Sequence, residues 1–187
     1  PWTKHNRRTT RLPGYDYTLP GAYFVTLCAW NRECLFGEVV GGEVELSPIG
    51  RIVQQEWLKS KEIRQEIRLF EDEFVVMPNH LHAIVWIVET VGAHGVRPDN
   101  ASPIDDPTER GAYHAPLRRP PRSLSSFIAG FKASVTSRSK SEWNMTGIWQ
   151  RNYYEHLVRD ENDLRRIAAY IQENPHRWED NDLHPEP

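Results

Sequence analysis

The stretch Phe74-Val75-Val76-Met77-Pro78-Asn79-His80-Leu81-His82-Ala83-Ile84-Val85-Trp86-Ile87-Val88 decides the fold. Two runs of apolar, largely β-branched or aromatic residues flank Pro78-Asn79, a pair whose turn chemistry reverses a chain within a few residues. The pattern predicts an antiparallel pair, one strand from Ile67 to Met77 and the next from His80 to Val88. Side chains two apart on a strand share a face. His80, His82, Ile84 and Trp86 therefore line one side, and Leu81, Ala83, Val85 and Ile87 the other.

Working outward, Ala22 to Trp30 is rich in aromatic and β-branched residues and reads as an earlier strand. Gly37 to Gly42 reads as a turn region. Ser47-Pro48 supplies an N-cap and a first helical proline, and Ile49, Ile52, Val53 and Trp57 continue with helical spacing, which predicts a helix over 48–64. After the central pair, Gly92 to Arg122 has no period and is rich in Pro, Gly, Asp and Arg, the composition of a surface insertion. Leu124, Phe127, Ile128, Phe131 and Val135 then share one face of a helix over 123–139. Ile148 to Val158 reads as a fourth strand. Asp160 caps a last helix over 161–174, with Leu164, Ile167, Ala168 and Ile171 as its stripe and Pro175 as its stop. The order strand, helix, strand, strand, helix, strand, helix is an α+β fold of the ferredoxin-like split βαβ type: a four-stranded antiparallel sheet with an added C-terminal helix.

At 187 residues the chain suits one domain, here 22–178, preceded by a basic arm (1–21) and followed by an acidic tail (179–187). The uninterrupted apolar run Ala83–Val88 is far below the roughly 20 residues of a membrane span. The opening residues carry no apolar stretch, so the expectation is no secretory signal and a cytoplasmic setting. Cys28 and Cys34 match neither a disulfide framework nor a common zinc spacing. A net charge of −3 argues at first against a nucleic-acid partner. The average hides a pattern, however. Glu179, Asp180, Asp182 and Glu186 lie in the tail, leaving the remainder at +1. Lys4, Arg7, Arg8 and Arg11 crowd the arm, and Arg118, Arg119, Arg122, Lys132, Arg138 and Lys140 lie between Gly111 and Lys140 with no acid among them. Such runs suit backbone phosphates, or form a solvated surface.

Two constellations carry possible chemistry. His80 and His82, side by side, can share a divalent cation if a third ligand arrives from elsewhere; they can also be two plain histidines at a strand start. Tyr170 and Asn174, four apart on the last helix, lie one above the other at the margin of its apolar stripe. An amide oxygen is a hard ligand suited to magnesium or manganese, and a phenol beside such an ion is a potential nucleophile. The alternative is a half-buried packing tyrosine and a last helical residue before proline. Trp149 and Tyr153, interleaved with Arg151, can stack on unpaired bases or belong to the core.

Taken together, Phe74 to His82, Ile148-Trp149-Gln150-Arg151-Asn152-Tyr153-Tyr154-Glu155-His156 and Tyr170-Ile171-Gln172-Glu173-Asn174-Pro175 resemble the single-tyrosine HUH transposases, and within them the REP-associated tyrosine transposases. The likeness covers 22–89 and 123–178. It implies His80, His82 and Asn174 as ligands of Mg2+ or Mn2+, and Tyr170 as the nucleophile of a single-stranded DNA endonuclease and strand transferase. The implied substrate is hairpin-forming repeat DNA, cut through a 5′-phosphotyrosine intermediate by a monomer or homodimer. Asn at 174, where insertion-sequence relatives commonly have Gln, fits the REP-associated branch. Arg7, Arg8, Arg118, Arg119, Arg122, Lys132 and Arg151 are the candidate DNA-binding residues, and no general base is evident. The rival readings are a non-cleaving hairpin-binding protein and a metal phosphodiesterase that uses water and only packs Tyr170.

Overall fold

The computed structural model describes residues 15–89 and 122–185. Strand β1 (Gly21–Cys28) lies inside the sheet, because its two edges are taken by β6 (His80–Ile87) and β7 (Tyr154–Leu157), both antiparallel to it. The far edge of β6 is shared by two short strands, β4 (Ile67–Arg68) beside Ile87 and Trp86, and β5 (Phe74–Met77) beside His80 to Ala83. These occupy one strand position, so the sheet has the four positions of the split βαβ arrangement.

The expected single strand over 67–77 is thus broken. A 3-10 turn at Glu71–Glu73 interrupts it, where three consecutive acids would otherwise alternate between two covered faces. Glu73 instead turns to accept a 2.6 Å hydrogen bond from the Trp86 indole, and burial raises its carboxyl above the ordinary range.

One face of the sheet carries Tyr23, Val25, Leu27, Leu81, Ala83, Val85 and Ile87 and is covered by helices α1 (Pro48–Ile63) and α2 (Leu124–Trp143). Helix α1 starts where the sequence places it, with the Ser47 hydroxyl accepting from the Gly50 amide at 3.0 Å. Gly50 has a further role: a Cβ there would stand 1.9 Å from the Phe36 carbonyl oxygen, so only glycine lets the first turn approach that backbone. Helix α2 is capped by Ser123 and runs one turn past the expected end. An Arg138–Glu142 pair at 2.5 Å supports the added turn before Asn144 takes the left-handed conformation (φ 52°).

The other face carries Ala22, Phe24 and Ile84, packed under Ile167 and Ile171 of helix α3 (Glu161–Glu173). Asp160 caps α3 as expected, accepting from the Asp163 amide at 2.9 Å. Two further expectations are corrected. The turn region Gly37 to Gly42 belongs to a hairpin, β2 (Gly37–Val40) with β3 (Glu43–Leu46), whose Gly41 and Gly42 have φ of 62° and 84°, as a two-residue turn with two left-handed positions requires. The fourth strand is confined to Tyr154–Leu157, with a lone bridge from Ala29 to Trp149 before it. The Lys132 ammonium explains the gap: it takes the carbonyls of Gln150 (2.8 Å) and Asn152 (3.1 Å).

No helix among the described residues is long and apolar enough to cross a membrane. Pro175–Asp180 forms a 3-10 turn after α3, and the chain continues to Pro185 folded back beside the start of β6. Within the acidic tail from 179, the Leu183 carbonyl accepts from the buried Asn79 amide, so its described residues pack beside the sheet.

Candidate active site

The site grows from the first turn of β6. Because β6 pairs with β1 in strict register, Thr26 lies opposite His82 and Cys28 opposite His80. Their ring centroids are 4.4 Å apart. Helix α3 crosses this face and brings Tyr170 to His82, with the phenol oxygen 3.3 Å from Nε2. Phe24 stacks on the same imidazole at 5.3 Å. Asn174, at the end of α3 and 2% exposed, stands beside His80. The four residues brought forward by the sequence therefore meet at one place, all from a single chain.

Asn79 orients the pair. It is fully buried, and its amide donates both hydrogens, to the carbonyls of Arg32 (3.0 Å) and Leu183 (2.7 Å). Its side-chain oxygen can then only accept, so the 2.7 Å contact with His80 Nδ1 assigns the hydrogen to that nitrogen. His80 Nε2 is left with a bare lone pair. This atom is buried and has no hydrogen-bond partner. For His82, Nδ1 lies 2.9 Å from the Thr26 hydroxyl; with the hydrogen on Nδ1, the Tyr170 hydroxyl donates to Nε2. Both inward nitrogens are then unprotonated acceptors.

An orphaned buried imidazole nitrogen beside a second imidazole and an amide oxygen fits a divalent cation. Ligating imidazoles need the neutral form, and an outer partner on Nδ1 fixes tautomer and orientation. Asn79 and Thr26 fill those outer positions. The Asn174 oxygen is itself fixed by a 3.0 Å hydrogen bond from the Asn181 amide. Among the described residues no three His, Cys, Asp or Glu side chains gather, so a cation here would rely on two histidines and one amide. This mixed nitrogen and oxygen set accommodates Mn2+ as readily as Mg2+.

Burial pushes the His80 imidazole down to about 3, opposed by Asn174 and helped by the Arg32 charge; burial and the neighbouring His80 push His82 well below the ordinary 6.5. The sign follows. Above about pH 6.5 both rings are neutral folded and unfolded alike, and stability does not depend on them; below it the unfolded chain binds protons that the folded chain refuses. Stability is therefore expected to fall as pH drops from about 6.5, by on the order of 2–3 kcal/mol at pH 4.5 from His80 alone, with His82 acting in the same direction. Urea midpoints measured between pH 7.5 and 4.5 test this. A His80→Gln chain with the same acid slope as the wild type would refute it.

Other candidates are placed differently. Lys132 is half-buried, lies 5.7 Å over the Trp149 ring and is pushed down to about 8 by burial; two of its three N–H donors are committed to backbone. Trp149 packs against Phe36 and Phe131 and belongs to the core. Arg122 and Arg151 are exposed. Arg7, Arg8, Arg118 and Arg119 lie outside the described residues. Sequence reading missed Asn79 as a positioning residue, although it stands in the quoted motif. It also missed Thr26, which only strand register reveals, and Trp178, whose buried ring lies 6.0 Å from His80.

An uncharacterized protein of Haemophilus influenzae is 38% identical over 180 residues, spanning 96% of this chain and 94% of that protein. The chain belongs to that protein's family. A second Haemophilus influenzae protein, named as a REP-associated tyrosine transposase, is 41% identical over 39 residues, or 21% of this chain and 22% of that one. The solved structure of a REP-associated tyrosine transposase bound to a REP hairpin matches with a TM-score of 0.55 at 20% identity, covering 90% of this chain and 74% of that chain. The family thus resembles the REP-associated tyrosine transposases and shares their fold. No family model matches the chain.

Proposed function

We propose that this family member is a metal-dependent, single-tyrosine DNA strand transferase acting on hairpin-forming repeat DNA in the bacterial cytoplasm. The observation that carries the reading is the bare, buried Nε2 of His80 converging with His82, Asn174 and the phenol of Tyr170. His80, His82 and Asn174 would hold the ion, Mg2+ or Mn2+. When bound, it supplies Lewis-acid polarisation and orientation of the scissile phosphate.

The chain's own part is positional. Asn79 and Thr26 hold the imidazoles, and Phe24 backs His82. Tyr170 is 41% exposed, so its oxygen reaches a phosphate from the solvent side while its ring remains against His82. Its oxygen would form the bond to phosphorus as the phosphorus–O3′ bond breaks; the phenolic proton is given up and the departing 3′ oxygen gains one. The phosphotyrosine keeps the ester energy for a later 3′ hydroxyl, which reverses the step on another end. The hairpin in the solved relative supports a structured DNA substrate.

The decisive experiment is a denaturing gel after incubation with Mn2+ and labelled hairpin DNA: a covalent adduct supports strand transfer, cleavage without adduct indicates a water-using phosphodiesterase, and binding alone indicates a non-cleaving module. A His80→Ala/His82→Ala chain is expected to bind no Mn2+ at concentrations that saturate the wild type, by calorimetry, and to give no adduct. Surviving metal-stimulated cleavage would locate the ion elsewhere.

A further inference from the structure

Beyond the end of β1 the chain makes a tight excursion, Trp30–Arg32, in which Asn31 and Arg32 both adopt left-handed backbone angles (φ 51° and 57°). The turn is pinned at both sides. The Ala29 amide donates to the Asn79 carbonyl at 2.8 Å, the Trp30 amide to the Ile148 carbonyl at 2.8 Å, and the Arg32 carbonyl accepts from the Asn79 side chain. Strained, non-glycine turns persist only where their surroundings enforce them. The result presents a large aromatic ring to solvent: Trp30 is 52% exposed. With Glu33, Leu35, Met145, Thr146 and Gly147 it lines an open, mainly apolar cavity of about 450 Å³.

We propose that this cavity receives an unpaired nucleobase of the DNA strand, stacked on Trp30. The inference rests on the strand-transfer reading and extends it to a specificity pocket. Three observations favour a base over other apolar occupants. The pocket is tied to the candidate active site through Asn79, whose one side chain holds both the Arg32 carbonyl and His80. Exposed Arg32 stands two residues after Trp30, and exposed Arg151 directly follows Gln150, whose amide donates to the Cys28 carbonyl two residues before Trp30, so both bring positive charge to this part of the chain. The lining is an aromatic and apolar wall with two polar side chains, Glu33 and Thr146, both able to accept, which suits a ring carrying N–H groups at its edge.

The test uses the full chain and DNA hairpins enriched from a randomised pool by binding to the wild type, each compared with and without its unpaired flanks by fluorescence anisotropy. Trp30→Ala is expected to weaken binding of flanked hairpins about tenfold and leave trimmed hairpins unchanged, whereas Trp30→Phe keeps most of the affinity. Circular dichroism checks that the exposed substitution leaves the fold intact. Equal binding of both DNAs by Trp30→Ala and wild type overturns the pocket and leaves the strand-transfer reading standing. An equal loss on flanked and trimmed hairpins also overturns it. If no hairpin is enriched by the wild type, both readings fall.

Discussion

A Tyr170→Phe chain is expected to form no covalent adduct with hairpin DNA, a loss of at least about a thousandfold in cleavage, while binding that DNA nearly as the wild type does. The expectation is sharp because the substitution removes one atom and little else. The ring stays 5.1 Å from His82 and 6.2 Å from Phe24, so its packing survives. The hydroxyl makes one hydrogen bond, of 3.3 Å, and its loss costs on the order of 1–2 kcal/mol. Folding is therefore separable from chemistry. The measurement pairs a denaturing gel with anisotropy on the same DNA and a thermal melt. Undiminished adduct would assign the nucleophile to another side chain; undiminished nicking without adduct would assign the attack to water.

The parts of this site legible in the sequence are those governed by local periodicity. Alternation along His80 to Ile87 separates the histidine face from the core face, and the structure keeps that division residue by residue. Three helix starts, at Ser47, Ser123 and Asp160, are local hydrogen-bonding choices and appear where their side chains allow. What the sequence conceals is set by contacts between distant segments. Thr26 orients His82 across 56 residues of chain, through strand register alone. The break at Glu71–Glu73 follows from a tertiary partner, the Trp86 indole. Lys132 reads as a phosphate ligand by charge, yet the helix carrying it turns its ammonium onto backbone carbonyls. The turn at Gly41-Gly42 is locally legible as a hairpin signal, with Glu38-Val39-Val40 before it and Glu43-Val44-Glu45 after.

Asn79 concentrates these long-range dependencies in one side chain, and two substitutions there should have different effects. Asn79→Ala removes the acceptor of His80 Nδ1 and both donors, to Arg32 and Leu183. Leaving such buried groups unpaired costs about 1–3 kcal/mol each, so a net loss on the order of 3–5 kcal/mol is expected once the neighbours relax. With His80 no longer held in its tautomer, Mn2+ affinity should fall roughly ten- to a hundredfold. Asn79→Asp keeps the acceptor and turns it into a carboxylate, which strengthens the hold on His80 Nδ1–H while setting a charge against two carbonyl oxygens. This chain should melt well below the wild type yet, measured beneath its melting temperature, bind Mn2+ at least as tightly. Thermal melts with manganese titration decide the matter. Equal loss of affinity in both variants would mean that Asn79 acts only by pinning the Arg32 turn and the C-terminal segment. A split, with stability lost in both and affinity lost only in Asn79→Ala, identifies it as the residue through which the fold sets the metal-facing nitrogen.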